Sequence, residues 1–126
     1  MKKKEFLVSV LLITASVLVF AETITLKTGE NLFASDGSYL APVDLNVLGS
    51  RCSITGIQKV DSNLWCISIS ALQTNTLSVP ITYSYYVKKG DILKFRKNTD
   101  PLNVFSYLVD SISWNEAELL LQSPID

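Results

Sequence analysis

Apolar and polar residues alternate along much of the chain with the period of two that is typical of β-strands. In Glu22–Lys27, Ile24 and Leu26 share one face, while threonines and a lysine occupy the other. Val43, Leu45 and Val47 repeat the alternation farther on. No long stretch has the spacing of an amphipathic helix, so the pattern predicts an all-β chain.

Turn signals separate these stretches at intervals of roughly 8–12 residues. The strongest is Asp36-Gly37, a pair that favours tight hairpins. Weaker turn signals lie at residues 28–31, 61–63, 88–91 and 98–101. This spacing predicts a small sandwich or open barrel of roughly seven to eight mostly antiparallel strands.

Thr76–Val87 forms the longest strand candidate, and Pro80 within it favours an edge position because proline cannot donate a ladder hydrogen bond. Lys88–Asp91 then turns the chain into Ile92–Arg96, which predicts a hairpin over residues 82–97. An exposed edge near Pro80 would also permit self-association by strand addition.

The last segment has two interpretations. Ser113–Glu116 fits the capping box of a helix, but it also fits a turn before a final strand, Glu118–Gln122. We favour the strand because a helix of two turns is marginal on its own.

The N-terminus, MKKKEFLVSVLLITASVLVFAET, has the three parts of a secretory signal peptide: lysines, an apolar run and a small residue at the cut site. Cleavage after Ala21 would leave one domain, residues 22–126, with no stable membrane span. The alternative is an uncleaved anchor. The short lysine-rich start is typical of bacteria, so we expect the mature protein in the periplasm or outside the cell.

Removal of residues 1–21 leaves 8 basic and 11 acidic residues, a net charge of −3. Nucleic acid binding depends on neutralising phosphates, so a mildly acidic domain argues against a nucleic acid partner.

Cys52 and Cys66 are the chain's two cysteines. In an oxidising compartment an even number favours a disulfide, which we expect here. Two buried free thiols are the alternative; the C-x13-C spacing does not fit a redox motif, and too few ligands exist for zinc. The bridge conflicts with a plain hairpin of Cys52–Val60 and Leu64–Leu72, which would place Cys52 opposite residue 72 and Cys66 opposite Gln58.

Candidates for catalysis are few, since the chain contains no histidine. Asp36, Asp61, Asp91 and Asp100 lie in predicted turns. Asp44 and Asp110 interrupt strand patterns, and a carboxylate facing inward would need a partner. We therefore predict no enzyme activity, no cofactor and no metal site.

Aromatic and basic residues concentrate in the predicted hairpin. Tyr83 and Tyr85 share one strand face, and if that face meets solvent it forms a platform for a protein or a glycan. The cations in the same segment would suit an anionic partner; the binding candidates are thus Tyr83, Tyr85, Lys88, Lys89, Lys94 and Arg96. Alternatively, the tyrosines pack in the core and the lysines protect an edge strand.

These patterns predict a non-catalytic binding or structural module of the bacterial envelope. A second hypothesis is a secreted inhibitor of a host or competitor enzyme, with Ser50–Ser53 or Asn98–Asn103 as the inserting loop. The least favoured is a hydrolase built on Asp44 and Asp110.

Overall fold

The computed structural model describes residues 22–45, 51–72 and 80–122, and over these ranges the chain is all-β. The expected signal peptide, residues 1–21, lies outside the described residues, as does the start of the Thr76–Val87 candidate. The eight strands of the described part are β1 (Thr23–Lys27), β2 (Leu40–Pro42), β3 (Cys52–Asp61), β4 (Leu64–Leu72), β5 (Pro80–Val87), β6 (Ile92–Lys97), β7 (Asp100–Ser113) and β8 (Glu116–Leu121). The predicted fold class and the approximate number of strands are confirmed.

Two antiparallel sheets contain these strands. One has five strands in the order β1-β8-β7-β6-β2, and the other has three in the order β3-β4-β5. Residues facing inward from both sheets form a single apolar core. Within it, the rings of Phe95 in β6 and Tyr107 in β7 pack edge to face, with their centres 5.7 Å apart. β1 shows the predicted alternation, with Ile24 and Leu26 buried and the residues between them exposed.

β5 and β6 follow each other in the chain but lie in different sheets, so the predicted hairpin over residues 82–97 is wrong as a strand pair. The turn between them is tied to β7 instead. The Gly90 N–H donates to the Val109 carbonyl, and the Val109 N–H donates to the Asp91 carbonyl. These bonds direct the chain onto β7, and β6 pairs there with Ile92 opposite Leu108.

On one side of the domain, the segment that follows β1 connects the two sheets through backbone hydrogen bonds to β3. The Leu32 N–H donates to the Cys52 carbonyl at 2.8 Å, and the Ile54 N–H donates to the Glu30 carbonyl at the same distance. The other side is open: among the described residues, the backbone of β5 bonds only to β4. In the part of the chain that the structure describes, β5 is therefore an edge strand with no second partner strand, and it lies near β2 and β6 of the other sheet.

The C-terminal segment is a strand, as favoured above. β7 and β8 form a hairpin in which Ser113 pairs with Glu116. Between them Asn115 has a φ of 65°, a left-handed conformation that asparagine tolerates better than most residues. A capping box would have required helical backbone here.

The expected disulfide between Cys52 and Cys66 is absent: both cysteines are buried free thiols. Cys52 lies in the core and pairs with Ala71, whereas Cys66 pairs with Gln58. Cys66 shares the other face of β4 with Ser68, whose Oγ is 3.9 Å from the Cys66 Sγ. Position 71 is five steps along β4 from position 66, about 17 Å at the usual rise per residue. A bridge needs Cα atoms roughly 4.4–6.8 Å apart, so this register excludes it.

Candidate functional site

The tyrosines proposed as an exposed platform face the core. Tyr83 pairs with Ile69 and Tyr85 with Ile67, and both rings are half-buried against the apolar cluster. Tyr86, on the opposite face, is 60% exposed. The sequence correctly grouped Tyr83 with Tyr85, but the face they share is the one directed between the sheets.

A small open cavity of about 140 Å³ lies where the two sheets diverge, between β5 and the β2–β6 edge. We call it the β5–β6 cleft. Its walls are mostly aliphatic and aromatic, and they come from four separate parts of the chain: Pro42, Val43, Asp44, Ile69, Tyr85, Ile92, Leu93, Lys94 and Phe95. Two of the predicted binding residues, Tyr85 and Lys94, therefore meet at one site.

A polar pair forms part of the rim of the cleft. The Tyr85 hydroxyl donates to Oδ1 of Asp44 at 3.1 Å. Burial of the phenol, and then the negative charge of Asp44, raise the pKa of Tyr85 well above its usual value. Asp44 is exposed rather than directed inward, so it accepts this bond at the surface of the domain.

The basic residues of this region do not form one continuous patch. Lys88 pairs with Asp91, with Nζ 3.2 Å from Oδ1. Lys97 pairs with Asp36, also at 3.2 Å, and its Nζ lies 4.6 Å from the centre of the Phe105 ring.

The other predicted cations have separate positions around the cleft. Arg96 donates to the Val43 carbonyl at 3.4 Å, which braces one wall. Lys94 is exposed and lines the cleft, while the exposed Lys89 lies in the turn after β5. Lys94 is thus the cation best placed to meet a molecule in the cleft.

Few ionisable side chains line the described part of the cleft. Asp44 is the one carboxylate among its lining residues, and Asp110 is exposed elsewhere on β7. Burial raises the pKa of the Cys52 thiol to about 11, which keeps it protonated and unreactive at neutral pH. Within residues 22–45, 51–72 and 80–122, no three acidic or cysteine side chains gather as a metal site would require. The arrangement is suited to holding an apolar group.

Two exposed apolar features were missed from the sequence. Trp114, at the β7–β8 turn, is 60% exposed and meets Trp65 edge to face at 5.8 Å. Leu102, near the start of β7, is 93% exposed. Trp114 lies in a turn and Leu102 lies three positions after one, and an apolar residue in or beside a turn is the one signal that would have pointed to them.

Comparison with protein-family models finds no match, and the same result comes from comparisons with curated proteins and with solved structures. In the part of the chain that the structure describes, no helix has the length and apolar character needed to cross a bilayer.

Proposed function

We propose that this chain is a non-catalytic binding module of the bacterial envelope and that it binds its partner at the β5–β6 cleft. The observation on which this rests is an apolar cavity directly beside β5, whose outer edge has no partner strand among the described residues. The N-terminal sequence supports export, with a signal peptide cut after Ala21 and a mature domain in the periplasm or the medium.

The size of the cleft favours a protein partner over a glycan or a cofactor. Ligand sites for drug-sized molecules usually measure roughly 300–1,000 Å³. A cavity of about 140 Å³ instead resembles, in volume, the roughly 150 Å³ cavities that hold a single benzene ring. One apolar side chain fills such a space, and its backbone would then lie close to β5.

The free edge of β5 explains how such a side chain would be held. An extended peptide that adds to a sheet edge gains backbone hydrogen bonds, and pockets beside the edge select its alternate side chains. Tyr85 and Ile69 belong to the three-stranded sheet and also line the cleft, so the edge and the pocket are one surface. Lys94 at the rim would favour a partner with a nearby acidic residue.

A secreted inhibitor remains a second candidate because one observation favours it. The Asn98–Asn103 segment, expected as an inserting loop, is a turn followed by the start of β7, and it carries the highly exposed Leu102. An apolar side chain displayed in this way is what a loop that enters another protein's active site requires. Of the other expected loop, Ser50–Ser53, the first residue lies outside the described residues; Cys52 and Ser53 begin β3, and Cys52 is fully buried, so this segment is not an inserting loop.

An array of defined heptapeptides tests the proposed site. The host sequence Thr-Ser-Thr-X-Thr-Ser-Thr places each amino acid in turn at X, and the exported protein is applied in solution. We expect the strongest binding with Leu, Ile, Val or Met at X, and little with Gly or Asp. Ile92→Trp should weaken this binding at least about tenfold, because the indole at this 44% exposed position would cover the opening.

Val60→Trp is the matched control, since Val60 is also an exposed apolar strand residue but does not line the cleft. Equal binding by wild type and Val60→Trp, with loss in Ile92→Trp, supports the proposal. Binding that is independent of X, or that survives in Ile92→Trp, would show that the partner binds elsewhere.

A further inference from the structure

The first part of β7 pairs irregularly with its neighbouring strand β6. Phe105 pairs with Phe95 and Asp100 pairs with Lys97, so residues 101–104 lie opposite Arg96 alone. On the other side, the pairing of β7 with β8 begins only at Tyr107. Among the described residues, these four positions therefore have no partner strand; we call residues 101–104 the β7 bulge.

The β7 bulge displays two apolar side chains on a restrained backbone. Leu102 is 93% exposed and Val104 is 47% exposed. The Asn103 amide donates to both carboxylate oxygens of Asp100, at 2.9 and 3.0 Å, and Pro101 fixes its own φ. Because this backbone is already restrained, it loses less conformational entropy when the bulge inserts into a pocket.

The molecule also contains a pocket that matches this bulge. The β5–β6 cleft has room for one branched aliphatic side chain, and the free edge of β5 beside it can pair with an extended segment. The charges agree as well, because Asp100 adjoins the bulge while Lys94 lines the cleft and Lys89 follows β5. Leu102 does not line the cleft of its own chain.

We propose that the partner at the cleft is a second copy of this chain: Leu102 of one copy enters the β5–β6 cleft of another, and its β7 bulge lies along β5. This inference rests on the proposed function, since it uses the same cleft. The two surfaces that meet are different parts of the molecule, so each contact takes the bulge from one copy and the cleft from the other.

Sedimentation velocity of the exported protein, from about 1 μM to about 1 mM, tests this directly. Wild type should associate increasingly with concentration. Leu102→Asp removes the bulge side chain and should weaken association at least about tenfold, since a leucine would no longer be buried. Ile92→Trp should do the same by closing the cleft, whereas Val60→Asp and Val60→Trp should behave as wild type.

Mixing the two deficient variants provides the decisive test. Leu102→Asp retains a working cleft and Ile92→Trp retains a working bulge, so together they should form a one-to-one heterodimer that neither forms alone. A monomeric wild type at 1 mM, an associating Leu102→Asp variant, or a mixture that stays monomeric would each overturn the inference.

The peptide array separates this inference from the proposed function. Leu102→Asp should still bind heptapeptides with a central leucine, because its cleft is intact. Peptide binding at the cleft without self-association would overturn the second-copy partner alone. If Ile92→Trp changed neither peptide binding nor self-association, the proposed function would be overturned as well.

Discussion

Reduction of the exported protein should leave its stability unchanged, because the β3–β4 register keeps Cys52 and Cys66 apart. Cys52 is fully buried in the core opposite Ala71, and Cys66 lies on the other face of β4 opposite Gln58. The two positions differ by about 17 Å along the strand, far beyond disulfide reach. An oxidising compartment alone would favour the opposite outcome.

The size of the expected difference makes this a clear test. A bridge closing a loop of about 15 residues would contribute about 3 kcal/mol to the free energy of unfolding. For a domain of this size, 1 kcal/mol corresponds to roughly 4–8 °C in Tm, so reduction of a bridge would lower Tm by roughly 12–24 °C. With free thiols, a reductant should change Tm by less than about 1 °C.

The assay combines thermal unfolding, followed by circular dichroism with and without a phosphine reductant, with a thiol titration in denaturant. The titration should find two thiols in protein that was never reduced. Single replacements add a control. Cys52→Ser buries a hydroxyl in the core and should cost about 1–3 kcal/mol, while Cys66→Ser, beside Ser68, should cost less. A Tm loss above about 10 °C on reduction, or equal costs for both replacements, would refute the register.

Three further predictions concern individual side chains. The buried Tyr107 donates to Oε2 of Glu22 at 2.9 Å, so Tyr107→Phe should cost about 1–2 kcal/mol in urea unfolding at pH 7. Burial and this bond raise the pKa of Tyr107, so the folded state keeps a proton that the unfolded state releases; stability should fall above about pH 10, and less so in the variant. A hydrogen bond from the Ser38 N–H lowers the pKa of Asp36 from 3.8 to about 2. Wild type should therefore lose stability as the pH falls through this interval, and Asp36→Asn should flatten that loss. Parallel acid titrations of wild type and variant would contradict this prediction. At Asn115, with φ of 65°, Asn115→Val should lower the free energy of unfolding by about 1–2 kcal/mol and Asn115→Gly should change it little; equal effects in denaturant titrations would argue against the left-handed turn.

The local features of the fold were predictable because they depend on short stretches of sequence. Alternation identified β1, and Asp36-Gly37 forms the expected turn, in which Gly37 has a φ of 89° and Asp36 accepts from the Ser38 N–H. The β7–β8 turn could be read from sequence for the same reason. The choice of partner strand was not predictable, since the bonds between the 88–91 turn and Val109 join positions about 20 residues apart.

The candidate site was predicted only in part. Period-two spacing shows that Tyr83 and Tyr85 share a face, but it cannot tell which face is inward, because that depends on the register with Ile67 and Ile69. The cleft brings Asp44 to Tyr85 across 41 positions in sequence. No local pattern encodes such a contact, so the sequence identified Tyr85 and Lys94 without the wall that faces them.

The central claim is that the β5–β6 cleft is the binding surface, and amide chemical shifts of the isotopically labelled, exported protein test it most directly. On addition of the heptapeptide with a central leucine, the largest shifts should fall in residues 81–87, 43–44 and 92–95. Shifts that cluster around Trp65 and Trp114, or the absence of any shift at a peptide concentration of several millimolar, would contradict the claim.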